Sequence, residues 1–327
     1  MKGRILVLGG GWSGERPISL LSMQGVVPAL RGRGWKVLAC DLVPDGPLRT
    51  APRATPAYAK RLPLSRLIPQ CLAYRPRAVF LALHGPMGED GRIQGLLDLA
   101  GIPYAGSDAL SSALAMDKGL AKQLLAAAGI KVPDGLRLAK GQGLPARLPL
   151  PCVVKPVAQG SSLGITLARS RAQARLGLRA ALRWDKEALI EPYIRGREFA
   201  VGVLGGRALP LVEIVPINEF YDYHSKYAEG GSRHLCPAPL PAAQSARLRV
   251  LGLKAHRVLG CRGFSRVDIL LDRSGRAWVL EVNTLPGLTN VSLLPDAAKA
   301  AGLAYGQLLE EMIRASAGKG PWASTKG

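Results

Sequence analysis

The stretch RVDILLDRSGRAWVLEVN, residues 266–283, decides how this chain is read. Two apolar runs flank the polar turn Asp272-Arg273-Ser274-Gly275, the pattern of a β-hairpin. Centred between Ser274 and Gly275, the hairpin sets Asp268 opposite Glu281 and Arg266 opposite Asn283. Side chains alternate along a strand, so all four share one face. Carboxylates directly opposed across strands repel each other. Beside a carboxamide oxygen they instead make a hard-oxygen seat for Mg²⁺. A solvated polar face is the plainer reading of such a strip. Against it, the acids share their face with Leu270 and Val279, which predicts partial burial, and a half-buried acid cluster needs a cation. The other face, Val267, Ile269, Leu271, Trp278, Leu280 and Val282, is wholly apolar and is expected to pack on a core.

The 327 residues suffice for two or three domains, and with 48% hydrophobic residues the chain can bury a real core. No apolar run approaches the ~18 residues of a spanning helix, so no membrane partner is expected. The opening MKGRILVLGGGWSGE breaks from a short apolar run into glycines. It lacks a long apolar region and a small-residue cleavage site, so it reads as a first strand and not a signal peptide. Cys40, Cys71, Cys152, Cys236 and Cys261 are widely spaced with no CxxC, as in a reduced cytoplasmic protein. The net charge of +21 would suit a nucleic-acid partner. However, the basic residues are spread along the whole chain, and aromatics at 5% supply a base-stacking platform poorly. No nucleic-acid partner is expected. An anionic small substrate accounts for part of the charge, and the excess of arginine alongside abundant Ala, Leu and Gly fits compositional drift.

Strands are expected at 5–8, 35–42 and 78–83, the last ending at His84-Gly85, with a helix at 18–30. Strands alternating with helices predict a parallel α/β sheet. The Pro- and Arg-rich segment 43–63 reads as a loop. Residues 107–128 are strongly helical. A strand at 151–156 (PCVVKP) leads into the loop 157–164, then a helix at 172–183 and a strand at 188–192. Residues 199–215 read as paired strands around Gly205-Gly206, and 218–239 as a long functional loop. A helix is expected at 242–259, and the tail 317–327 reads as disordered. Gly9, Gly11 and Gly14 fit GxGxxG after a strand, with Asp41 closing the next strand, which suggests a dinucleotide fold. A glycine-rich chain produces that pattern easily. Glu15 at the helix N-terminus would repel a pyrophosphate and suit an ammonium.

Eight motifs in order, LGGGWSGERPIS, LALHGPMGEDGRIQGLLDLAGIPYAGS, ALAMDK, VVKPVAQGSSLG, LIEPYIRGREF, FYDYHSKY, FSRVDILLD and LEVNTLPGLTNVS, make the chain resemble the ATP-grasp superfamily and, within it, the D-alanine–D-alanine ligases. The similarity runs from Ile5 to about Leu309. It implies an α/β ATP-grasp fold with an N-terminal Rossmann-like part. It also implies a reaction in which a D-alanine carboxylate attacks the γ-phosphate of ATP. A second D-alanine amine then attacks the acyl phosphate, giving dipeptide, ADP and phosphate.

An acyl phosphate hydrolyses readily, so a closing lid is needed. The NH-rich loop 159–164 could wrap phosphates, and Lys155 and Lys118 could meet their oxygens. The resemblance gives both lysines that role. It sets Glu198 on the ribose, Glu191 near the adenine end, and Ser162 and Lys226 with the ATP phosphates. Asp268, Glu281 and Asn283 match its site for two Mg²⁺ (or Mn²⁺) ions. Arg266 matches the residue that stabilises the transferring phosphoryl group and the later oxyanion, with the Gly287 amide beside it. Glu15 matches the holder of the first D-alanine ammonium, and His84 a histidine near that substrate. Ser292 and Leu293 match the pocket for the second D-alanine carboxylate. Ser161, Tyr227 and Glu15 match a hydrogen-bonded trio that closes the site. Retaining Lys226-Tyr227 favours an amine over a hydroxyl as second nucleophile, while D-serine is less well excluded.

Two positions depart from the pattern: Pro17 in the first helical turn, which that turn tolerates, and Asn290-Val291 before Ser292. The expected division is 1–106 (Rossmann-like), 107–190 (central, with the phosphate loop) and 191–316 (metal hairpin), with ATP between the last two. A homodimer in a bacterial cytoplasm, making a peptidoglycan precursor, is the implied setting. Two other readings stand beside it: an ATP-grasp carboxylate–amine ligase with a different acceptor, and a non-catalytic nucleic-acid-binding relative. A dead relative should have lost Arg266, Asp268 or Glu281, and all three are present.

Overall fold

The structure is a computed structural model and describes residues 2–46, 54–216, 232–289 and 291–316. Ile5, Leu6, Val7 and Leu8 are fully buried at the centre of β1 (Lys2–Gly10). A strand buried on both faces must be covered by helices, and the chain supplies them in alternation. The order is α1 (Arg16–Gly32), β2 (Trp35–Val43), β3 (Lys60–Pro63), α2 (Leu67–Tyr74), β4 (Ala78–Leu81), α3 (Arg92–Leu99) and β5 (Tyr104–Ala105). The five strands are parallel, in the order β3-β2-β1-β4-β5. Strand β3 lies inside the segment expected to be a loop. Its register places Leu62 against Leu42, and burial of Leu62 overrides the local Pro and Arg content.

The helical stretch expected over 107–128 is two helices, α4 (Ala109–Met116) and α5 (Lys118–Ala127). Asp117 sits between them in an extended conformation (ψ 97°), and its carboxylate accepts from Leu120 N. An aspartate in that role starts a new helix instead of continuing the old one. Lys118 therefore opens α5.

The other two sheets are antiparallel throughout. One contains β6 (Leu136–Ala139), β7 (Cys152–Pro156), β8 (Thr166–Ala168) and β9 (Glu187–Pro192) in the order β6-β9-β7-β8, covered by α6 (Arg171–Ala181). The other runs β13-β12-β10-β14-β15 from β10 (Gly196–Leu204), β12 (Val212–Pro216), β13 (Ser232–Leu235), β14 (Phe264–Asp272) and β15 (Ala277–Asn283), with β11 (Arg207–Ala208) on β10. Its one face packs on α5 and α7 (Ala242–Val258). Its other face joins the core of the parallel sheet through α8 (Leu293–Ala300) and α9 (Tyr305–Ser316).

The β14–β15 hairpin pairs Asp268 with Glu281 and Arg266 with Asn283, as its sequence predicts. Nearer the turn the register differs by one residue: Ile269 faces Val279 and Leu271 faces Ala277. Gly275 takes φ +77° in a three-residue turn closed by Asp272 N–H to Arg276 O, which centres the hairpin on Ser274. A bulge at Leu280 then absorbs the extra residue. The expected faces are corrected accordingly. Val279 is fully buried with Val267, Ile269 and Leu271, whereas Trp278 and Leu280 stay outside that core.

Candidate active site

The head of α1 is built around Glu15 and Arg16. Arg16 forks Asp41, with Nη1 to Oδ1 at 2.7 Å and Nη2 to Oδ2 at 2.8 Å, and both residues are buried. Thr55 Oγ1 donates to the same carboxylate at 2.6 Å. Gly10 makes room for this pair, since a Cβ there would lie 1.9 Å from Asp41 Oδ1. Asp41 is thus fully engaged inside the fold, and the glycine-rich turn does not hold a dinucleotide ribose. Beside it the Ser161 hydroxyl donates to the Glu15 carboxylate, joining α1 to the loop 157–164. Ser161 and Ser162 have φ of 52° and 56°, a left-handed backbone that non-glycine residues adopt at a cost of ~1–3 kcal/mol.

Two adjoining cavities contain every described candidate residue. The first is walled by Glu15, His84, Lys118, Ser161, Arg266, Asp268, Glu281, Asn283, Gly287, Ser292 and Leu293. The second is walled by Lys155, Ser162, Glu191, Glu198, Asp268 and Glu281, with the apolar side chains of Val153, Ile165, Leu270 and Leu280. Asp268 and Glu281 line both and stand at the junction. Lys226 and Tyr227 lie outside the described residues, as does 317–327.

Around the junction the charges balance locally. Arg266 forks Asp268, with Nε to Oδ1 and Nη2 to Oδ2 each at 2.8 Å, and its Nη2 is 4.0 Å from Glu281 Oε1. Lys118 Nζ donates to Gln159 O at 2.7 Å and lies 3.6 Å from Glu281 Oε2. Asn283 Oδ1 accepts from Leu285 N at 2.9 Å. Buried Gln159 leaves its side-chain Nε2 without a hydrogen-bond partner among the described residues, beside the loop that carries Ser161.

The sequence missed Lys122. It lies one turn after Lys118 on α5, on the same face. Its ammonium bonds Glu191, whose other oxygen is 2.7 Å from Lys155 Nζ. All three groups are buried. Burial works to raise the Glu191 carboxyl, but the charges of Lys155 and Lys122 outweigh it and hold Glu191 below the usual carboxylate range. Burial also opposes the Lys155 ammonium, and Glu191 more than offsets this, so Lys155 is raised. Lys122 moves down, through burial and then the charge of Lys155. Lys122 was legible only through its spacing from Lys118.

His84 is fixed at the end of β4, its Nε2 2.9 Å from Ser22 Oγ and its Nδ1 3.3 Å from Glu89 Oε1. Ser292 caps the turn before α8: its hydroxyl accepts from Thr289 N at 3.0 Å and contacts Thr289 Oγ1 at 2.8 Å. A Cβ on Gly287 would lie 2.8 Å from Ser292 Oγ, so the two are in contact.

Residues 134–314 match the family model described as D-ala D-ala ligase C-terminus, and residues 4–107 the one described as D-ala D-ala ligase N-terminus. The chain belongs to the D-alanine–D-alanine ligase family. It is 44% identical to the D-alanine–D-alanine ligase of Citrifermentans bemidjiense over 315 residues, 96% of either chain. It is 43% identical to that of Gluconobacter oxydans, covering 95% of this chain and 98% of the relative. Among solved structures it is similar to a D-alanine–D-alanine ligase from Bacillus anthracis, with TM-score 0.80, 34% identity and coverage of 96% and 97%. It is also similar to that ligase complexed with ATP, with TM-score 0.79, 32% identity and the same coverage. The α/β architecture is the ATP-grasp fold that the sequence predicts for this ligase family.

Proposed function

We propose that this chain joins two D-alanines to D-alanyl-D-alanine at the expense of ATP, through an acyl phosphate, for peptidoglycan synthesis. The observation that carries the reading is the convergence at Asp268 and Glu281 of an anionic junction, three cations (Arg266, Lys118, Lys155) and the Glu15–Ser161 contact.

The cavity of Lys155, Glu191, Glu198 and Ser162 takes ATP. Its apolar walls suit a base, Glu198 the ribose and Lys155 the phosphates. The buried, unpartnered Gln159 amide suits a phosphate oxygen. Asp268, Glu281 and Asn283 present hard oxygens in one strip, the donor chemistry of Mg²⁺ or Mn²⁺. Bound there, two such ions would offset charge on the transferring phosphoryl group. Glu15 receives the ammonium of the first D-alanine, with His84 beside it, and a carboxylate oxygen of that D-alanine attacks the γ-phosphorus as ADP leaves. The second D-alanine binds through its carboxylate at Ser292 and Leu293. Its amine attacks the acyl carbon, and phosphate departs with the attacking oxygen of the first substrate. Arg266 and the Gly287 amide stabilise the oxyanion between these steps. Lys226 and Tyr227 complete the site in the same reading.

Each of the three sheets is the centre of one subdomain in this account. The parts proposed are 1–106, 107–190 and 191–316, and β9, which ends at Pro192, runs two residues past the second boundary. A homodimer in a bacterial cytoplasm belongs to the same reading. The five free cysteines suit the cytoplasmic part of that reading, and among the described residues no helix is long and apolar enough to cross a membrane.

The test is dipeptide formation from MgATP with D-alanine, L-alanine or D-serine. D-Ala–D-Ala formed with D-alanine and lost in Arg266→Ala supports the reading. Turnover only with another amino acid would move the substrate assignment.

A further inference from the structure

Strand β13 and the first turn of α8 meet at a pair the ligase reaction does not require. His234 Nδ1 lies 2.8 Å from Asp296 Oδ2, and both side chains are part-buried. An ionised carboxylate only accepts, so Nδ1 carries the hydrogen. Cys236 Sγ donates to Asp296 O at 3.6 Å, a second tie between the same two elements. Among the described residues, His234 is the one side chain that bonds the Asp296 carboxylate. Lys299, three residues on along α8, makes no ion pair with it.

Asp296 follows Ser292 by four positions, and its amide donates to Ser292 O at 3.2 Å. Residues four apart on a helix are neighbours on one flank. The head of α8 offers unsatisfied amides and a positive dipole end, which suit an anion. A carboxylate left unheld on that flank would oppose a second anion arriving at Ser292.

We propose that His234 is a positioning residue for the acceptor amino acid. It holds the Asp296 carboxylate through its Nδ1–H so that the head of α8 can receive the acceptor's carboxylate at Ser292. The inference rests on the reading of Ser292 as the acceptor pocket. It gives no role to His234 in phosphoryl transfer or in binding the first D-alanine.

Initial rates over a wide D-alanine range yield separate KM values for the first and second D-alanine, and ATP is titrated in parallel. His234→Ala is expected to raise the acceptor KM about fivefold, the size of one helix-end charge interaction. Its kcat, its KM for ATP and its KM for the first D-alanine should stay within about twofold. Asp296→Asn alone should leave the acceptor KM unchanged or lower it. The double variant His234→Ala/Asp296→Asn should recover most of the loss, because no unheld carboxylate is left. Thermal melting of each variant checks that the fold is intact. An unchanged acceptor KM in His234→Ala, or a double variant as weak as His234→Ala, would overturn the proposal. Failure of the unaltered protein to make dipeptide would instead overturn the ligase reading, and the inference with it.

Discussion

Lys155 Nζ stands 2.7 Å from Glu191 Oε2, across the diagonal of the β7–β9 ladder in which Val153 faces Glu191 and Lys155 faces Leu189. Lys122 takes the other oxygen from α5, so one buried carboxylate serves two buried ammoniums. Deleting Lys122 and deleting Glu191 are therefore unequal in effect. Lys122→Met leaves a balanced Lys155–Glu191 pair and should change stability by less than about 1 kcal/mol. Glu191→Gln leaves two buried cations facing each other and should cost about 3–5 kcal/mol. Urea denaturation of the two variants checks this, and equal losses would contradict the charge count.

The bulge at Leu280 makes a second prediction. Val279 faces Ile269 inside the core, whereas Leu280 lines the cavity assigned to ATP. Val279→Ala should cost about 2 kcal/mol in denaturation. Leu280→Ala should cost less than about 1 kcal/mol and raise the KM for ATP. A regular hairpin predicts the reverse order of stability.

That hairpin also shows what could be read from residues alone. The pairing of Asp268 with Glu281 came out as expected because the bulge at Leu280 makes up for a turn centred on Ser274 and not between Ser274 and Gly275. The bulge was not legible, because it cancels the one-residue offset of the turn before the acids are reached. Lys118 and Lys155 were legible as residues of a family pattern. Lys122 reads as an ordinary solvated lysine in an Ala- and Leu-rich helix until Glu191 is brought to it from the central sheet. Asp41 completes a dinucleotide-like pattern that Glu15 argues against, and the sequence cannot show Arg16 folding back onto it. Strand β3 was hidden by its proline and arginine neighbours.

The contact between Glu15 and the 157–164 loop makes a third prediction. A Cβ at Gly160 would lie 2.6 Å from Glu15 Oε1, so Gly160→Ala must displace either the loop or the carboxylate. A displacement near 1 Å in a catalytic constellation costs about 10²-fold, and kcat/KM for D-alanine should fall by that order. Ser161→Ala removes the hydroxyl without the clash and should fall less. Steady-state kinetics of the two variants separates the effects.

A fourth prediction concerns acid stability. His256 is buried on α7 with Nδ1 2.7 Å from Ser265 Oγ. Burial, then the neighbouring Arg257, pulls its pKa down to about 4. The unfolded chain binds that proton at a pKa of about 6.5 and the fold resists it. The unfolded state therefore holds more protons between these values, and stability rises with pH through the window. The contribution is complete above pH ~6.5 and is lost as pH falls toward ~4, about 3 kcal/mol in all. Unfolding free energies measured across that range should lose most of this slope in His256→Gln.

The central claim is that a D-alanine carboxylate oxygen attacks ATP and leaves with its phosphate. D-alanine labelled with ¹⁸O in both carboxylate oxygens tests this directly when turned over with MgATP. The account predicts one ¹⁸O in each phosphate released, with dipeptide formed in equal amount. Phosphate without ¹⁸O, while dipeptide accumulates, would contradict an acyl phosphate at this site.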